Sequence, residues 1–176
     1  MLPVVLHSLA VQTFADFEVI VTDNSDPEVQ RVNRKLIESL DARFYHADTS
    51  HIQPSDCYPA ANWAVKGCSG DFLCFPSDDS YYVPCFADVM LEAAERNSWD
   101  LVYCNMVYDA RFNGQHYAAI NVQPMVNSID KTGFIVRRSW FEGFACSKTG
   151  DGELIESLLN RGIRHGKVPD VLLVHN

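Results

Sequence analysis

Several features that would assign this 176-residue chain to a protein class are missing. No apolar run approaches the roughly 18–20 residues of a transmembrane helix, and residues 1–10 lack the basic start and the cleavage site of an export signal. Acidic residues outnumber basic ones by 23 to 14, and the net charge of −9 disfavours binding to nucleic acid. We expect a cytoplasmic protein without a transmembrane segment or a nucleic-acid partner.

Common motifs of cofactor and metal sites are missing as well. There is no GxGxxG, GxxxxGK[ST], HExxH or GxSxG pattern, and the six histidines have no paired ligand spacing. The six cysteines form no CxxC pair, so we expect buried reduced thiols rather than a disulfide framework.

Strand-like and helix-like apolar patterns alternate along the first half of the chain. The predicted elements are strand 17–22, helix 28–40 with Val29, Val32 and Leu36 at helical spacing, strand 44–46, helix 58–68, strand 71–75 and helix 84–95. After residue 98 we expect strand 99–108, a turn at Asn113-Gly114 into 117–122, strand 133–136, helix 151–160 and strand 171–174. This order predicts one α/β domain over 1–176, with a mostly parallel central sheet flanked by helices and a small antiparallel excursion in the second half.

Acidic residues follow two of the predicted strands, where ligands of open α/β sheets bind. Asp23 follows the first strand, and Asp78 and Asp79 follow the buried one. Such residues also form turns and cap helices, and this simpler explanation stays open for Asp23. It is weaker for the adjacent pair, because two carboxylates repel each other beside a buried strand. Mg²⁺ or Mn²⁺ would relieve that cost, so the residues indicate a metal-dependent enzyme acting on a phosphate ligand.

Four segments in order carry a resemblance to a known family. They are QTF at 12–14 with FEVIVTDNS at 17–25, ANWAV at 61–65, GDFLCFPSDD at 70–79, and GDGEL at 150–154 with NRG at 160–162. The chain resembles family 2 glycosyltransferases over nearly its whole length. The resemblance implies a GT-A fold, similar to the Rossmann fold, and inverting transfer of a sugar from a nucleotide sugar, usually UDP-linked, to an acceptor hydroxyl.

The resemblance also implies roles for single residues. Asp23, Asn62 and Asp78 would bind the nucleotide, and Asp79, at the end of the DxD motif, would hold Mn²⁺ or Mg²⁺. His175 would be a second metal ligand, and Asp151 would deprotonate the acceptor, which is a glycan, a lipid-linked sugar or another hydroxyl compound. Residues 1–80 would form the nucleotide-binding half and residues 81–176 the acceptor and catalytic half.

The sequence departs from the family pattern in three places. Ser77 replaces the first acid of the DxD motif, Gly150 replaces an acidic neighbour of the base, and residues 1–6 resemble the helix that follows the family's opening strand. A sheet without that strand makes a homodimer plausible. Two other functions stay open: a truncated, non-catalytic nucleotide-sugar-binding or interaction module, and a sugar-phosphate nucleotidyltransferase.

Overall fold

Helices and strands alternate along the first half of the chain, as the apolar pattern predicts. The computed structural model describes residues 1–52, 58–109 and 116–176. The helices in these ranges are α1 (Leu2–Ala10), α2 (Pro27–Glu38), α3 (Tyr58–Ala64), α4 (Phe86–Asn97) and α5 (Gly150–Asn160). The strands are β1 (Val19–Asp23), β2 (Phe44–Asp48), β3 (Phe72–Cys74), β4 (Ser80–Tyr82), β5 (Leu101–Asp109), β6 (Tyr117–Ile120), β7 (Phe134–Arg137) and β8 (His165–His175).

Most predicted elements are confirmed within a few residues. The start of the chain is helical, and Pro3 lies in the first turn of α1, where its missing N–H costs no hydrogen bond. The predicted hairpin is confirmed by the antiparallel pairing of β5 and β6, although its turn at Asn113-Gly114 lies outside the described residues. Strand β4 was not predicted, because its three residues follow the acidic pair too closely to show a pattern.

The strands form two sheets. β1 and β2 pair in parallel, and the second sheet has the order β3-β7-β5-β8-β4 with β6 also on β5. The α/β class is confirmed, but the pairing is mixed rather than mostly parallel. Within the larger sheet β5 and β8 are parallel, and the other described pairs are antiparallel. Parallel neighbours need a crossover connection, and α5 supplies one between β5 and β8.

The main hydrophobic core lies around the central strands of the larger sheet. Leu101, Val102 and Cys104 of β5 and Phe134 and Val136 of β7 are fully buried. Burial of each such large side chain contributes about 1.5–3 kcal/mol relative to exposure. A smaller cluster of Leu6, Ile37 and Phe44 fixes α1, α2 and β2 against one another. Strands from both predicted halves of the chain share the larger sheet.

The cysteines only partly follow the expectation of buried thiols. Cys74 and Cys104 lie inside the fold, and burial raises the pKa of each thiol to about 12, so both stay protonated. Cys85 and Cys146 are exposed, which corrects the prediction for these two, and Cys57 lies outside the described residues. Across the described part of the chain, no helix combines the length and hydropathy that crossing a membrane requires.

Candidate active site

Asp23 ends β1 and is almost fully buried. Its Oδ1 accepts a hydrogen bond from the Ser25 N–H at 3.0 Å, and its Oδ2 accepts one from Asn33 Nδ2 at 2.9 Å. His46 Nε2 lies 3.2 Å from the same Oδ2. Burial raises the pKa of the Asp23 carboxyl, but the hydrogen bonds from Asn33, Ser25 and His46 outweigh it and hold the pKa below its ordinary value. Asp23 is therefore an ionised carboxylate whose oxygens already have partners.

Asn62 on α3 also has both ends of its amide occupied. Its Nδ2 donates to the carbonyl oxygen of Phe144 at 2.9 Å, and the N–H of Phe144 donates to its Oδ1 at 2.8 Å. This pair of bonds fixes the backbone beside Gly143, which has a φ of +113°. Asp78, the remaining predicted nucleotide-binding residue, is exposed.

Asp79 lies in a different electrostatic situation from Asp23. Its Oδ1 is buried and accepts no hydrogen bond from the described residues, although His175 Nδ1 lies 3.5 Å away. His175 reaches this place because the pairing of β4 with β8 puts Ser80 opposite it, and Ser80 Oγ lies 3.0 Å from the same Nδ1. The structure thus brings together the two residues predicted as metal ligands.

Asp151 lies in the first turn of α5 and is half-buried. Its Oδ1 accepts the Gly152 N–H at 2.8 Å, its Oδ2 accepts the Lys131 N–H at 3.1 Å, and the Tyr58 hydroxyl also bonds to it. Burial and, next, the negative charge of Asp130 raise the pKa of the Asp151 carboxyl above its ordinary value, and the hydrogen bonds oppose this rise without cancelling it. A carboxylate with a raised pKa is better suited to accept a proton near neutral pH.

The departure at Gly150 has a steric cause. A Cβ at this position would lie 2.3 Å from the carbonyl oxygen of Ala145 and 3.1 Å from the ring of Tyr58. No side chain fits there without moving the backbone, so an acidic neighbour of Asp151 is excluded in this chain.

Two residues that sequence reasoning missed connect the predicted metal-ligand pair to Asp151, the predicted base. Asp130 Oδ2 lies 3.8 Å from His175 Nε2, and the next residue is Lys131. The Lys131 N–H donates to Asp151, and its Nζ donates to Ser77 Oγ in the SDD motif. Neither residue belongs to a motif or follows a predicted strand, so only the long-range fold could reveal them. In the described ranges, no contact of Asp23 reaches this network, whereas Asn62 is connected to Asp151 through Phe144, whose ring packs against that of Tyr58.

The chemistry of these groups fits a divalent cation that takes some of its ligands from the protein and the others from a substrate. In the ranges that the structure describes, no three His, Cys, Asp or Glu side chains are grouped to hold a metal alone. Asp79 offers a carboxylate oxygen without a hydrogen bond, and His175 offers an imidazole nitrogen beside it. Mg²⁺ and related cations often take only one or two protein ligands and complete their shell with substrate phosphates and water.

Residues 1–149 match the family model described as glycosyl transferase family 2, which is most of the chain. The chain belongs to glycosyltransferase family 2. This confirms the family resemblance. Three of the four sequence segments lie within the matched residues, and the fourth, at 150–154 with 160–162, lies beyond them.

Solved structures show that this family member has the GT-A glycosyltransferase fold. TarS 1-349 from S. aureus in complex with UDP superposes with a TM-score of 0.74 at 18% identity, over 98% of this chain and 55% of that one. The mannosyltransferase PcManGT from Pyrobaculum calidifontis in complex with GDP-Man and Mn²⁺ superposes with a TM-score of 0.78 at 15% identity, over 99% and 53%. TarS 1-349 from S. aureus in complex with UDP-GlcNAc superposes with a TM-score of 0.69 at 19% identity, over 97% of this chain and 53% of that one. The chain spans about half the length of these proteins.

Proposed function

We propose that this chain transfers a sugar from a nucleotide sugar to an acceptor hydroxyl, with Mn²⁺ or Mg²⁺ and with inversion at the anomeric carbon. The observation that carries the proposal is the buried Asp79 Oδ1, which has no hydrogen bond beside His175 and is linked through Asp130 and Lys131 to Asp151. A metal-ligand pair and a base of raised pKa thus share one network. The complexes of similar fold with UDP, UDP-GlcNAc and GDP-Man support a nucleotide-sugar donor.

In this proposal Asp79 and His175 would hold the cation, which would supply positive charge to the diphosphate leaving group. Asp23, Asn62 and Asp78 are the proposed nucleotide-binding residues. Because the side chains of Asp23 and Asn62 already bond to the protein, they would act mainly by fixing the backbone around the nucleotide, whereas the exposed Asp78 is available to bond the ribose.

Asp151 is the proposed base. As the acceptor oxygen forms its bond to the anomeric carbon, the acceptor proton moves to the Asp151 carboxylate and the bond to the diphosphate oxygen breaks. Attack on the face opposite the leaving group inverts the configuration. The bonds from Lys131 and Gly152 orient the carboxylate, so it is positioned before the acceptor arrives.

The decisive experiment measures nucleotide binding by calorimetry and then sugar transfer. The wild-type chain should bind UDP or GDP more tightly with Mn²⁺, and Asp79→Asn should abolish the gain from the metal. Asp71→Asn, which changes an exposed acid in the same segment, is the matched control and should bind like the wild type.

Different failures of this experiment favour different alternatives. A well-folded chain that binds neither nucleotide would contradict the proposal. Binding without any release of nucleotide from nucleotide sugars, across a panel of hydroxyl acceptors, would favour the non-catalytic binding module instead. A homodimer stays a separate prediction, which light scattering checks.

A further inference from the structure

The side chain of Lys131 carries a buried positive charge, although only the backbone N–H of this residue has a part in positioning Asp151. The residue is 8% exposed, and its Nζ donates to the hydroxyl of Ser77. Among the described residues, the neutral Ser77 hydroxyl is the hydrogen-bond partner of the Lys131 ammonium, and no carboxylate forms an ion pair with that ammonium. An ammonium buried without a counter-charge is costly, so this group is suited to an anion that the protein itself does not provide.

Carboxylates lie close by in the network, but other groups occupy them. Asp130 Oδ1 accepts bonds from the N–H and the hydroxyl of Thr132, at 2.9 and 2.7 Å. Asp151 bonds to the backbone N–H of Lys131, not to its ammonium. Asp130 Oδ2 lies 3.8 Å from His175 Nε2. Asp79 Oδ1, two residues along the chain from Ser77, is buried and accepts no hydrogen bond from the described residues.

The site therefore contains an ammonium without a counter-charge and a carboxylate oxygen without a donor, which remain separate from each other. A single ligand that brings anionic oxygens for the first and a cation for the second satisfies both. A diphosphate with its divalent cation has this composition.

We propose that the Lys131 ammonium binds the diphosphate oxygens of the donor while Asp79 takes the accompanying cation. This inference rests on the proposed function and adds a donor-binding residue to it. It also explains the departure at the first position of the DxD motif. An acid at residue 77 would pair with Lys131, whereas the Ser77 hydroxyl orients the ammonium and leaves its charge available to the ligand.

The test compares nucleotide with nucleoside in calorimetry, using UDP and uridine, or GDP and guanosine, according to which nucleotide the wild type binds. Lys131→Met keeps the length and apolar stem of the side chain but removes the charge. It should weaken nucleotide binding roughly 10- to 100-fold, the usual range for a lost hydrogen bond to a charged group, and leave nucleoside binding unchanged. Lys131→Arg should retain most of the affinity, and Lys35→Met, at an exposed lysine on α2, should bind like the wild type.

A second variant keeps the inference testable if Lys131→Met does not fold. Ser77→Asp places a carboxylate beside the unchanged ammonium, and it should weaken nucleotide binding in the absence of metal. If residue 77 served only as a potential metal ligand, the same change would strengthen metal-dependent binding and leave metal-free binding as it was.

The possible results separate this inference from the proposed function. Equal nucleotide affinity of wild type and Lys131→Met, or an equal loss for nucleotide and nucleoside, overturns the role of Lys131 and leaves the glycosyltransferase proposal intact. A wild-type chain that binds no nucleotide overturns both. If Lys131→Met loses affinity for the nucleotide and keeps its affinity for the nucleoside, the result supports the inference.

Discussion

Two regions of the molecule carry the acidic residues that follow predicted strands, and they differ in the hydrogen bonds that the carboxylate oxygens accept. At the end of β1, Asp23 is buried with Asn33, Ser25 and His46 around it, and its pKa is lowered. In the loop between β3 and β4, Asp79 leaves a buried oxygen without a hydrogen bond. Native structures seldom leave buried polar atoms unpaired, and the first region also has one, the Thr49 hydroxyl beside Asp23. The unpaired atom of the second region is a carboxylate oxygen, which suits a cation, so we propose the second region as the ligand site.

Asp151, the proposed base, differs from Asp23 in the same way. Burial and the charge of Asp130 raise the pKa of the Asp151 carboxyl, whereas the partners of Asp23 lower the pKa of that group. The hydrogen bonds around Asp23 favour its ionised form and so stabilise the folded chain at neutral pH. Burial and Asp130 disfavour ionisation of Asp151, and a raised pKa of this kind suits the proposed role of the carboxylate as a proton acceptor.

The largest expected effect is on sugar transfer. Asp151→Asn should lower the transfer rate about 10²- to 10⁴-fold, because it removes the proton acceptor and retains the size of the side chain. The measurement is release of nucleotide from the donor in the presence of acceptor, with nucleotide binding as the control that should not change. Turnover equal to that of the wild type would remove Asp151 from the mechanism.

Asp79→Asn should weaken metal-dependent nucleotide binding by about 100-fold, equivalent to ~2.7 kcal/mol. Since Asp79 Oδ1 accepts no hydrogen bond from the described residues, the free energy of unfolding should not fall. Calorimetry and urea unfolding of the same preparation check the two parts. If Asp79→Asn lost stability and kept its metal-dependent nucleotide affinity, Asp79 would serve the fold rather than a ligand, which would contradict the proposed difference between Asp79 and Asp23.

The opposite pattern is expected for Asp23. Asp23→Asn should cost about 1–3 kcal/mol of unfolding free energy, because donors on Ser25 and Asn33 lose a charged acceptor. The pKa of Asp23 is lowered in the folded state from its ordinary 3.8, so the wild type has this stability above pH 3.8 and loses it as the pH falls through the folded pKa.

Urea unfolding at neutral pH and at lower pH measures this difference, which should shrink in acid. Nucleotide binding by the folded variant separately tests the proposed role of Asp23 in nucleotide binding. A variant as stable as the wild type at neutral pH would show that the hydrogen bonds of Asp23 contribute little.

The sequence predicted Asp79 from its place after a buried strand, and it predicted Asp151 and His175 from the family resemblance. Lys131 and Asp130 show no such signal, since Lys131 meets Ser77 only through the packing of the sheet, across 54 positions of sequence.

Contacts between distant parts of the chain also decide which face of α2 is buried, and the local sequence pattern did not predict that face. Its apolar spacing suggested Val29 and Val32 as an inward face, but these two side chains are 47% and 56% exposed, and Gln30 is buried instead. Gln30 and Asn33 turn inward because the end of β1 offers them hydrogen-bond partners, among them the backbone oxygen and the carboxylate of Asp23. Apolar periodicity carries no information about such partners, whereas it predicts α5 well because that helix buries leucine and isoleucine.

The smallest expected effect concerns the pH dependence of transfer. Because burial and Asp130 raise the pKa of Asp151 above 3.8, the transfer rate should fall in acid at a higher pH than an ordinary aspartate would give. Asp130→Asn removes the neighbouring charge but keeps an oxygen that can accept the two bonds from Thr132. The acid limb of the kcat profile of Asp130→Asn should therefore move to lower pH, toward that of an ordinary aspartate. The pH profile of kcat for both proteins checks this, and a limb that stayed in place would assign the raised pKa to burial alone.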